Sequence, residues 1–596
     1  MREQHADSIV SQDHSKPSID RRTLLGSMAT LGAGIAGSMI VPEKVHAVSA
    51  AAPLAAPENS AALCGPSKVV ASDEATVVET SSGKIRGYER NGIYIFKGVP
   101  YGASTHGRGR FMPPEKPEPW TGIRDTLVYG RISPSEESLL LNLDSTDQFH
   151  SDQYVFLIHR GSAILIPGED CLRVNLWTPE INGSGKRPVM VWMHGGGFAD
   201  GCSQDLLSYD GENLARNHDV VVVNHNHRLN AYGYLNFAGI GGDEFAMSSN
   251  VGMLDIVAVL EWVRTHIASF GGDPNNVTIF GQSGGGAKVA ALMGMPAAKG
   301  LFHRAIIQSG PFLKAQSPDY SQQVAQLVLD ELGLSKSQVR ELQDVPMVRL
   351  SEAAKVAIKK AVPPKGAAFF GETGWGPTVD GRTLPAHPFY PGAPAVSADV
   401  PVMTGTTLDE MVNGIGPPAI FHMTAEEMNQ KVREEHGGQS DAIIAAYREE
   451  YPEATPFGLY AAIATWQFRS MSFAQAARKA ALGAAPAYAY IYSWRTPVLD
   501  DRPGTFHAAE LPFVFDNAEL LDHYSAGDPA AYVLNQQMST AWVSFARSGN
   551  PNHSGLPHWP AYTADTRATM IFNAPCEVRN DPEGKGLKII TQSEKG

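Results

Sequence analysis

Residues 276–285 read Asn-Val-Thr-Ile-Phe-Gly-Gln-Ser-Gly-Gly, and this stretch is the strongest indication of fold in the chain. A short apolar, β-branched run leads into a G-x-S-x-G motif centred on Ser283, and an Ala-rich helical pattern follows over 287–295. Strand, sharp turn and helix in that order form a nucleophile elbow, which exposes the serine hydroxyl on a strained turn. Glycines flank the serine because a side chain there would collide with neighbouring backbone. An ordinary Gly/Ser turn is the alternative, but the flanking elements favour a catalytic serine.

A second glycine-rich motif lies upstream, where His194-Gly195-Gly196-Gly197-Phe198 directly follows the apolar run 188–193. Consecutive glycines allow backbone N–H groups to point into a cavity and bind a developing oxyanion. The same motif precedes the elbow in lipases and esterases. A glycine-rich turn without function is the alternative. Two motifs in the correct order favour an oxyanion hole.

Short apolar runs alternate with helical patterns along the body of the chain. Strands are predicted at 188–193, 220–223, 276–280, 304–307, 400–403 and 487–492, and helices at 254–267 and 461–481. This alternation predicts an α/β fold with a mostly parallel central sheet and helices on both faces. No repeat or linker divides the body, so we expect a single large domain over 71–596.

Composition and charge exclude several classes of protein. The chain has 596 residues, of which 43% are hydrophobic and 18% charged, as in ordinary globular proteins. A net charge of −14 repels phosphate backbones and argues against nucleic-acid binding. Four cysteines without a Cys-x-x-Cys pair predict neither a disulfide framework nor a zinc ribbon.

The N-terminus has the pattern of an export signal. Arg21-Arg22 precede a mildly apolar run, 24–41, and small residues follow at 45–50. This order is typical of a cleaved secretory signal, and the paired arginines resemble a bacterial twin-arginine signal. An uncleaved anchor is the alternative, because the run spans 18 residues where about 20 cross a bilayer. We expect a signal peptide over 1–50, a flexible Ala/Pro-rich segment over 51–70, and a periplasmic or secreted enzyme without stable membrane insertion.

Two further motifs invite cofactor or metal functions that their context disfavours. Residues 32–37 fit G-x-G-x-x-G but lie inside the predicted signal, without the strand that a dinucleotide fingerprint needs. His225 and His227 share a strand face and could chelate zinc, yet no third ligand is apparent in the sequence. We therefore predict neither a cofactor nor a metal.

Beyond these motifs, matching segments across nearly the whole predicted mature chain resemble the type-B carboxylesterases, the family of the cholinesterases and bacterial p-nitrobenzyl esterases. The segments are Phe96–Gly102, Glu169–Leu172, Asn250–Asp255, Phe270–Pro274, Pro377–Gly381 and Trp559–Tyr562. The resemblance implies an α/β-hydrolase fold and hydrolysis of small-molecule esters through an acyl-enzyme on Ser283.

The same resemblance assigns the other site residues. A serine nucleophile needs a base and an orienting acid, but eight histidines follow Ser283, so composition alone does not choose the base. The family pattern places the acid at Glu410 rather than the adjacent Asp409, and the base at His507. It places the oxyanion hole at three backbone N–H groups, those of Gly196, Gly197 and Gly284.

The chain also departs from the family pattern. Gln282 stands where the family usually has glutamate, and Gly284 stands where it has alanine. Cys171 lacks its usual disulfide partner, with Cys64 a distant substitute, and the long stretch 133–168 is expected to form a lid or rim.

Two other functions are compatible with this fold. One is a catalytically silent, cholinesterase-like binding module, and the other is an amidase or lactonase. The presence of Ser283, Glu410 and His507 favours an enzyme. The motifs do not specify the ester, because variable loops form the walls of the pocket.

Overall fold

An eleven-stranded sheet forms the centre of the protein, and a three-stranded sheet accompanies it. The computed structural model describes residues 68–135, 165–365, 367, 371–410, 412 and 418–593. In this part of the chain the strands are β1 Val77–Thr80, β2 Gly83–Arg86, β3 Tyr88–Arg90, β4 Ile93–Pro100, β5 Ile123–Asp125, β6 Arg173–Thr178, β7 Arg187–Met193, β8 Val221–His225, β9 Gly272–Gln282, β10 Arg304–Gln308, β11 Val402–Thr407, β12 Ala487–Tyr492, β13 Ala568–Phe572 and β14 Glu577–Asn580.

The large sheet has the order β14-β13-β12-β11-β10-β9-β7-β8-β6-β4-β3. Its seven central strands are β7 to β13, and they run parallel. In the sheet, β7 lies between β8 and β9. The outer pairs β13–β14, β8–β6, β6–β4 and β4–β3 are antiparallel. One row of the register crosses Val191, Ile279, Ala305, Val402 and Ala487. The parallel strands therefore end at one common edge, where the loops after β7, β9 and β11 meet.

The helices connect these strands. They are α1 Glu212–His218, α2 Asn230–Tyr234, α3 Val251–His266, α4 Gly284–Met293, α5 Pro318–Leu332, α6 Met347–Lys360, α7 Pro418–Phe421, α8 Ala425–His436, α9 Ser440–Glu450, α10 Pro456–Ala464, α11 Trp466–Ala481, α12 Leu511–Val514, α13 Asp522–Ser525, α14 Pro529–Ser548 and α15 Gly584–Ser593. Local sequence sets their ends. The hydroxyl of Ser317 caps α5 by accepting from Tyr320 N, and Gly333 ends it at φ 69°.

Alternate residues of β7 pack into separate cores, which explains why this strand is apolar on both faces. Val189 and Val191 belong to a core that includes the apolar residues of α3 and α4. Met190 and Trp192 belong to a second core, formed with α14 around Trp542. Helices thus cover both faces of a mostly parallel sheet, as the sequence pattern predicts.

Most of the predicted elements are present with shifted bounds, as for β9, which begins at Gly272 rather than Asn276. The predicted strand 400–403 begins two residues later, at Val402, and continues to Thr407. The predicted helix 461–481 is wrong as one element, because α10 ends and α11 begins at Thr465. The Thr465 hydroxyl donates to the carbonyl of Ala461 at 3.0 Å, and a bond of this kind bends a helix.

Several predictions concern residues outside the described ranges. The signal peptide, the G-x-G-x-x-G stretch, Cys64 and most of the 51–70 and 133–168 segments lie there. The two ends of the last segment meet: Ile132 N donates to Ile166 O, and Gly168 N donates to Ile132 O, both at 3.0 Å.

One helical stretch of the described chain, Asp243–Phe270, is long and apolar enough to cross a membrane, but most of it is buried inside the protein. It includes α3, whose Asp255 accepts hydrogen bonds from the guanidinium of Arg228 at 2.6 and 2.8 Å. Both side chains are almost fully buried. This pair attaches the segment after β8 to a core helix.

Candidate active site

Ser283 occupies the tight turn between β9 and α4. Its φ of 58° lies in the left-handed region, a conformation that costs a non-glycine residue about 1–3 kcal/mol. Two backbone bonds hold the turn: Ser283 N donates to Gln308 O at 2.8 Å, and Ala287 N donates to Ser283 O at 3.0 Å. Ser283 is half-buried while Gln282 and Gly284 beside it are buried. The turn therefore presents the serine to solvent.

The glycines after Ser283 allow the segment 193–197 to lie directly on the first turn of α4. A Cβ on Gly284 would lie 2.1 Å from the carbonyl oxygen of Gly197. A Cβ on Gly285 would lie 1.9 Å from the carbonyl oxygen of Met193. Neither distance is possible for a side chain, so these contacts between backbones require glycine.

The loop 194–200, called the oxyanion loop below after the role that the sequence predicts for it, turns sharply at Gly196 and Gly197, whose φ values are 83° and 62°. Gly196 O accepts from Ala199 N at 3.2 Å and from Asp200 N at 2.9 Å. Asn230 N donates to Phe198 O at 2.7 Å and attaches the loop to α2. Gly196 is exposed and Gly197 half-buried, so the turn of the loop is accessible to a substrate.

Glu410 follows the C-terminal end of β11 and is 1% exposed. Its Oε1 accepts from Thr407 N at 2.9 Å, and its backbone N–H donates to the Thr407 hydroxyl at 3.1 Å. The other carboxylate oxygen, Oε2, bonds to Nδ1 of His507. Thr407 therefore fixes one carboxylate oxygen and leaves the other for the imidazole.

His507 is held against Glu410 by backbone as well as side chain. Its backbone N–H donates to Glu410 O at 2.7 Å, and Phe468 packs against the imidazole edge-on, with 5.7 Å between ring centroids. Burial lowers the pKa of His507, but the charge and hydrogen bond of Glu410 outweigh it, so the pKa is raised above 6.5. This imidazole readily holds a proton on its outward nitrogen, Nε2.

Asp409 points away from His507. Its Oδ2 accepts from Thr505 N at 2.7 Å and from Nη1 of Arg495 at 3.0 Å, and its backbone N–H donates to the Thr505 hydroxyl at 2.9 Å. Asp409 thus connects the loop that carries Glu410 to the loop that carries His507. Of the two adjacent carboxylates, the structure brings Glu410 to the imidazole.

Two residues that interact with this group, one through a hydrogen bond and one through its charge, received no role from the sequence. The amide nitrogen of Gln282 lies 3.0 Å from Nε2 of His507, the nitrogen that faces away from Glu410. Glu510 is fully buried, and burial together with the charge of Glu410 raises its pKa to about 7. Its Oε1 accepts from the Gln308 amide at 3.3 Å. Gln282 lies inside the G-x-S-x-G motif and Glu510 three residues after His507, but only the folded chain shows what they contact.

His225 and His227, considered above as metal ligands, are fully buried beside His194. Burial lowers the pKa of all three imidazoles, that of His225 to about 3. Within the described ranges no group of three or more His, Cys, Asp or Glu side chains could hold a metal ion. Cys171 is a buried thiol that forms no disulfide with another described cysteine.

A serine on a strand–turn–helix elbow, beside an imidazole paired with a buried carboxylate, defines a serine ester hydrolase of the α/β-hydrolase fold. The chain belongs to the carboxylesterase family, whose sequence model matches residues 74–589. It is a carboxylic-ester hydrolase of the type-B group that the sequence motifs indicate.

Similar proteins support this assignment over nearly the full length of the chain. The para-nitrobenzyl esterase of Bacillus subtilis is 35% identical over 523 residues, which cover 87% of this chain and 99% of the relative. The phenmedipham hydrolase of Pseudarthrobacter oxydans is 31% identical, covering 83% of this chain and 94% of the relative. A solved esterase from Clostridium hathewayi, described as able to hydrolyse aliphatic aromatic polyesters, superposes with a TM-score of 0.75 at 34% identity, covering 89% and 100% of the two chains.

Replacing Gly284 with alanine, the residue usual in the family, should lower activity in this protein. The new Cβ would lie 2.1–2.4 Å from backbone atoms of Gly197 and would push the oxyanion loop away from the elbow. Small displacements in a catalytic site cost up to about 100-fold, so we expect kcat to fall about 10- to 100-fold. Steady-state kinetics on an activated ester measures the change.

Gly438→Ala is the matched control, because Gly438 is exposed and a Cβ there meets no atom within 4 Å. Circular dichroism should show both variants folded. A Gly284→Ala enzyme with the kcat of the parent would contradict the close packing of Gly284 on Gly197.

Proposed function

We propose that this esterase hydrolyses small carboxylic esters through an acyl-enzyme on Ser283, with His507 as the general base and Glu410 as its orienting acid. The observation that carries the proposal is the bond between His507 Nδ1 and Glu410 Oε2 next to the elbow. With Nδ1 engaged, Nε2 is the ring nitrogen that takes the proton of the serine hydroxyl, in exchange for its 3.0 Å contact with the Gln282 amide. The resulting Oγ nucleophile attacks the ester carbonyl carbon.

The oxyanion that forms on the carbonyl oxygen is bound by the backbone N–H groups of Gly196, Gly197 and Gly284. Collapse of the tetrahedral intermediate expels the alcohol, which takes the proton from Nε2 of His507. Water then attacks the acyl-enzyme with the same base, and the acid product leaves. The Glu410 carboxylate orients the imidazole throughout and stabilises the imidazolium.

Gln282 supports both protonation states of the base. An amide carries a donor and an acceptor on one planar group, so the side chain can donate to neutral Nε2 or, turned over, accept from protonated Nε2. A glutamate in this position would add a second carboxylate next to the imidazolium. Because Gln282 is a neutral amide, it adds no negative charge beside Nε2, and Glu410 is the carboxylate bonded to His507.

The nucleophile can be identified by covalent labelling. A fluorophosphonate should label Ser283, and the loss of esterase activity should follow the labelled fraction, because the elbow exposes this hydroxyl beside a base. Peptide mapping by mass spectrometry locates the label. Ser283→Ala should remove both labelling and turnover, whereas a label on another residue or an active Ser283→Ala enzyme would refute the assignment. Matched ester and amide substrates test the preference for esters.

The two adjacent carboxylates at 409 and 410 should behave differently when each becomes an amide. Glu410→Gln removes the charge that orients His507, and the equivalent change in a serine protease costs about 10⁴-fold in kcat. Asp409→Asn leaves that contact in place, and it should act through the stability of the loops that Arg495 and Thr505 hold together. Kinetics and thermal melts on both variants distinguish the two roles.

The pH profile gives a second readout. Glu410 raises the pKa of His507, so kcat/KM of the parent should fall as the pH drops through a value above 6.5, where the base becomes protonated. In Glu410→Gln the effect of burial remains without the carboxylate, so the acid limb should move to lower pH. An unmoved limb in Glu410→Gln, or a folded Asp409→Asn that loses activity while Glu410→Gln keeps it, would show that Glu410 is not the acid.

We also propose that the enzyme is exported to the periplasm or beyond through a twin-arginine signal, on the basis of Arg21-Arg22 and the apolar run 24–41. Changing Arg21 and Arg22 to lysine should leave active enzyme in the cytoplasm, because this route carries folded protein. Fractionation with an esterase assay measures the distribution. Mature enzyme outside the cytoplasm at parental levels would contradict the proposal.

A further inference from the structure

Lys288 is a buried charged residue for which the mechanism above has no use. It lies on α4, five residues after Ser283, and its side chain is 0% exposed. Its Nζ donates to the carbonyl oxygen of His194 at 3.1 Å and lies 5.7 Å from the ring centroid of Phe198. Both partners belong to the oxyanion loop.

The position of Lys288 is costly for the folded state. Burial lowers its pKa to about 7, against a smaller opposing effect of the Asp205 carboxylate. Buried polar groups usually cost stability compared with apolar groups of similar volume. A methionine would fill this space without the desolvation cost, so packing does not explain the amine.

Three buried histidines surround Lys288, and one of them also contacts the loop backbone, since Nδ1 of His194 lies 2.9 Å from the carbonyl oxygen of Gly195. His194, His225 and His227 lie in the same buried region, with 4.8 Å between the ring centroids of His194 and His227 and 5.1 Å between those of His225 and His227. Their lowered pKa values keep these imidazoles neutral near pH 7. Five of their ring nitrogens have no hydrogen-bond partner in the described part of the chain. The amine of Lys288 is the side-chain donor bonded to the carbonyl of His194.

Lys288 extends a set of contacts that joins α4 to the oxyanion loop. Gly284 packs on Gly197 and Gly285 on Met193, which are contacts between backbones at distances that admit no side chain. Lys288, one turn further along the helix, adds a hydrogen bond to the residue between these two contacts, His194. The helix that follows the nucleophile therefore holds the loop at its first residue as well as at its turn.

We propose that Lys288 is a positioning residue for the oxyanion hole: its hydrogen bond to the His194 carbonyl holds the N–H groups of Gly196 and Gly197 at the distance from Ser283 that the tetrahedral intermediate requires. This inference rests on the proposed function, in which those N–H groups bind the oxyanion. The hydrogen bond between Lys288 and His194 contributes mainly when negative charge develops on the carbonyl oxygen of the bound ester. A loosened loop would still bind the ground-state ester but stabilise the transition state less.

Lys288→Met tests the proposal, because methionine keeps the length and most of the volume of lysine without the N–H donors. Loss of one oxyanion donor costs about 10²- to 10³-fold in kcat, and a displaced loop should cost less, about 10- to 100-fold. We expect KM to change less than about twofold, since ground-state contacts remain. The affinity for a boronic acid, which forms a tetrahedral adduct on serine, should fall by the same factor as kcat/KM. The melting temperature should stay equal or rise.

Lys479→Met is the matched control. Lys479 is also fully buried, and its Nζ donates to the backbone carbonyls of Ser397 and Ala398 at 2.8 and 2.7 Å, away from the oxyanion loop. This change removes the same kind of hydrogen bond, and a change in melting temperature is compatible with its use as a control. It should leave kcat and boronate affinity unchanged.

Lys288→Gln supplies a second variant, since its shorter amide retains N–H donors and should recover part of the kcat that Lys288→Met loses. Unchanged kcat and boronate affinity in Lys288→Met would overturn the proposal. So would a change confined to KM or stability, or failure of both variants to fold, because each outcome marks Lys288 as structural support. Labelling of Ser283 by the fluorophosphonate in the parent separates the two hypotheses: if the label is on Ser283, a negative result at Lys288 leaves the proposed function intact.

Discussion

The site depends on one contact between backbones, the packing of the oxyanion loop on the first turn of α4. Gly284 and Gly285 let this loop approach to distances that no side chain permits. The approach sets the distance between the serine and the turn of the loop before any substrate is present. Catalysis by fixed dipoles needs such an arrangement, because groups already in place do not reorganise when charge develops. The left-handed backbone of Ser283 is a cost of the same turn.

The parallel sheet brings Glu410 and His507, the proposed acid and base, to this turn. β9 and β11 end at the same edge, so Ser283 and Glu410 emerge from neighbouring parts of that edge. The loop after β12 returns His507 to Glu410, and Arg495, Asp409 and Thr505 join the two loops around a buried carboxylate. The rigid sheet positions the residues of the site, and hydrogen bonds between side chains orient them.

Sequence reasoning predicted what local patterns determine. The strand, turn and helix around Ser283, the glycine loop after β7 and most central strands follow from apolar periodicity and glycine placement. The choice between Asp409 and Glu410 came from the family pattern, because adjacent carboxylates look alike locally; in the folded chain Arg495, distant in sequence, accompanies Asp409.

Other features depend on the folded chain. The break at Thr465 depends on a hydroxyl bonding back to its own helix, which apolar spacing does not reveal. Lys288 lies inside an Ala-rich helical pattern that does not reveal its partner. Its hydrogen bond is formed because β7 places His194 beside it in the folded chain. Gln282 stood out in the sequence only as a departure from the family pattern, and its contact with His507 is visible only in the folded chain.

The hydrogen bonds of Ile132 with Ile166 and Gly168 bring the chain back to the point where it left the body of the protein. These bonds belong to a parallel bridge that pairs Ile132 with Pro167. The bridge anchors the chain six residues before β6 begins at Arg173, so the antiparallel side of the large sheet takes its position from backbone bonds within the described residues.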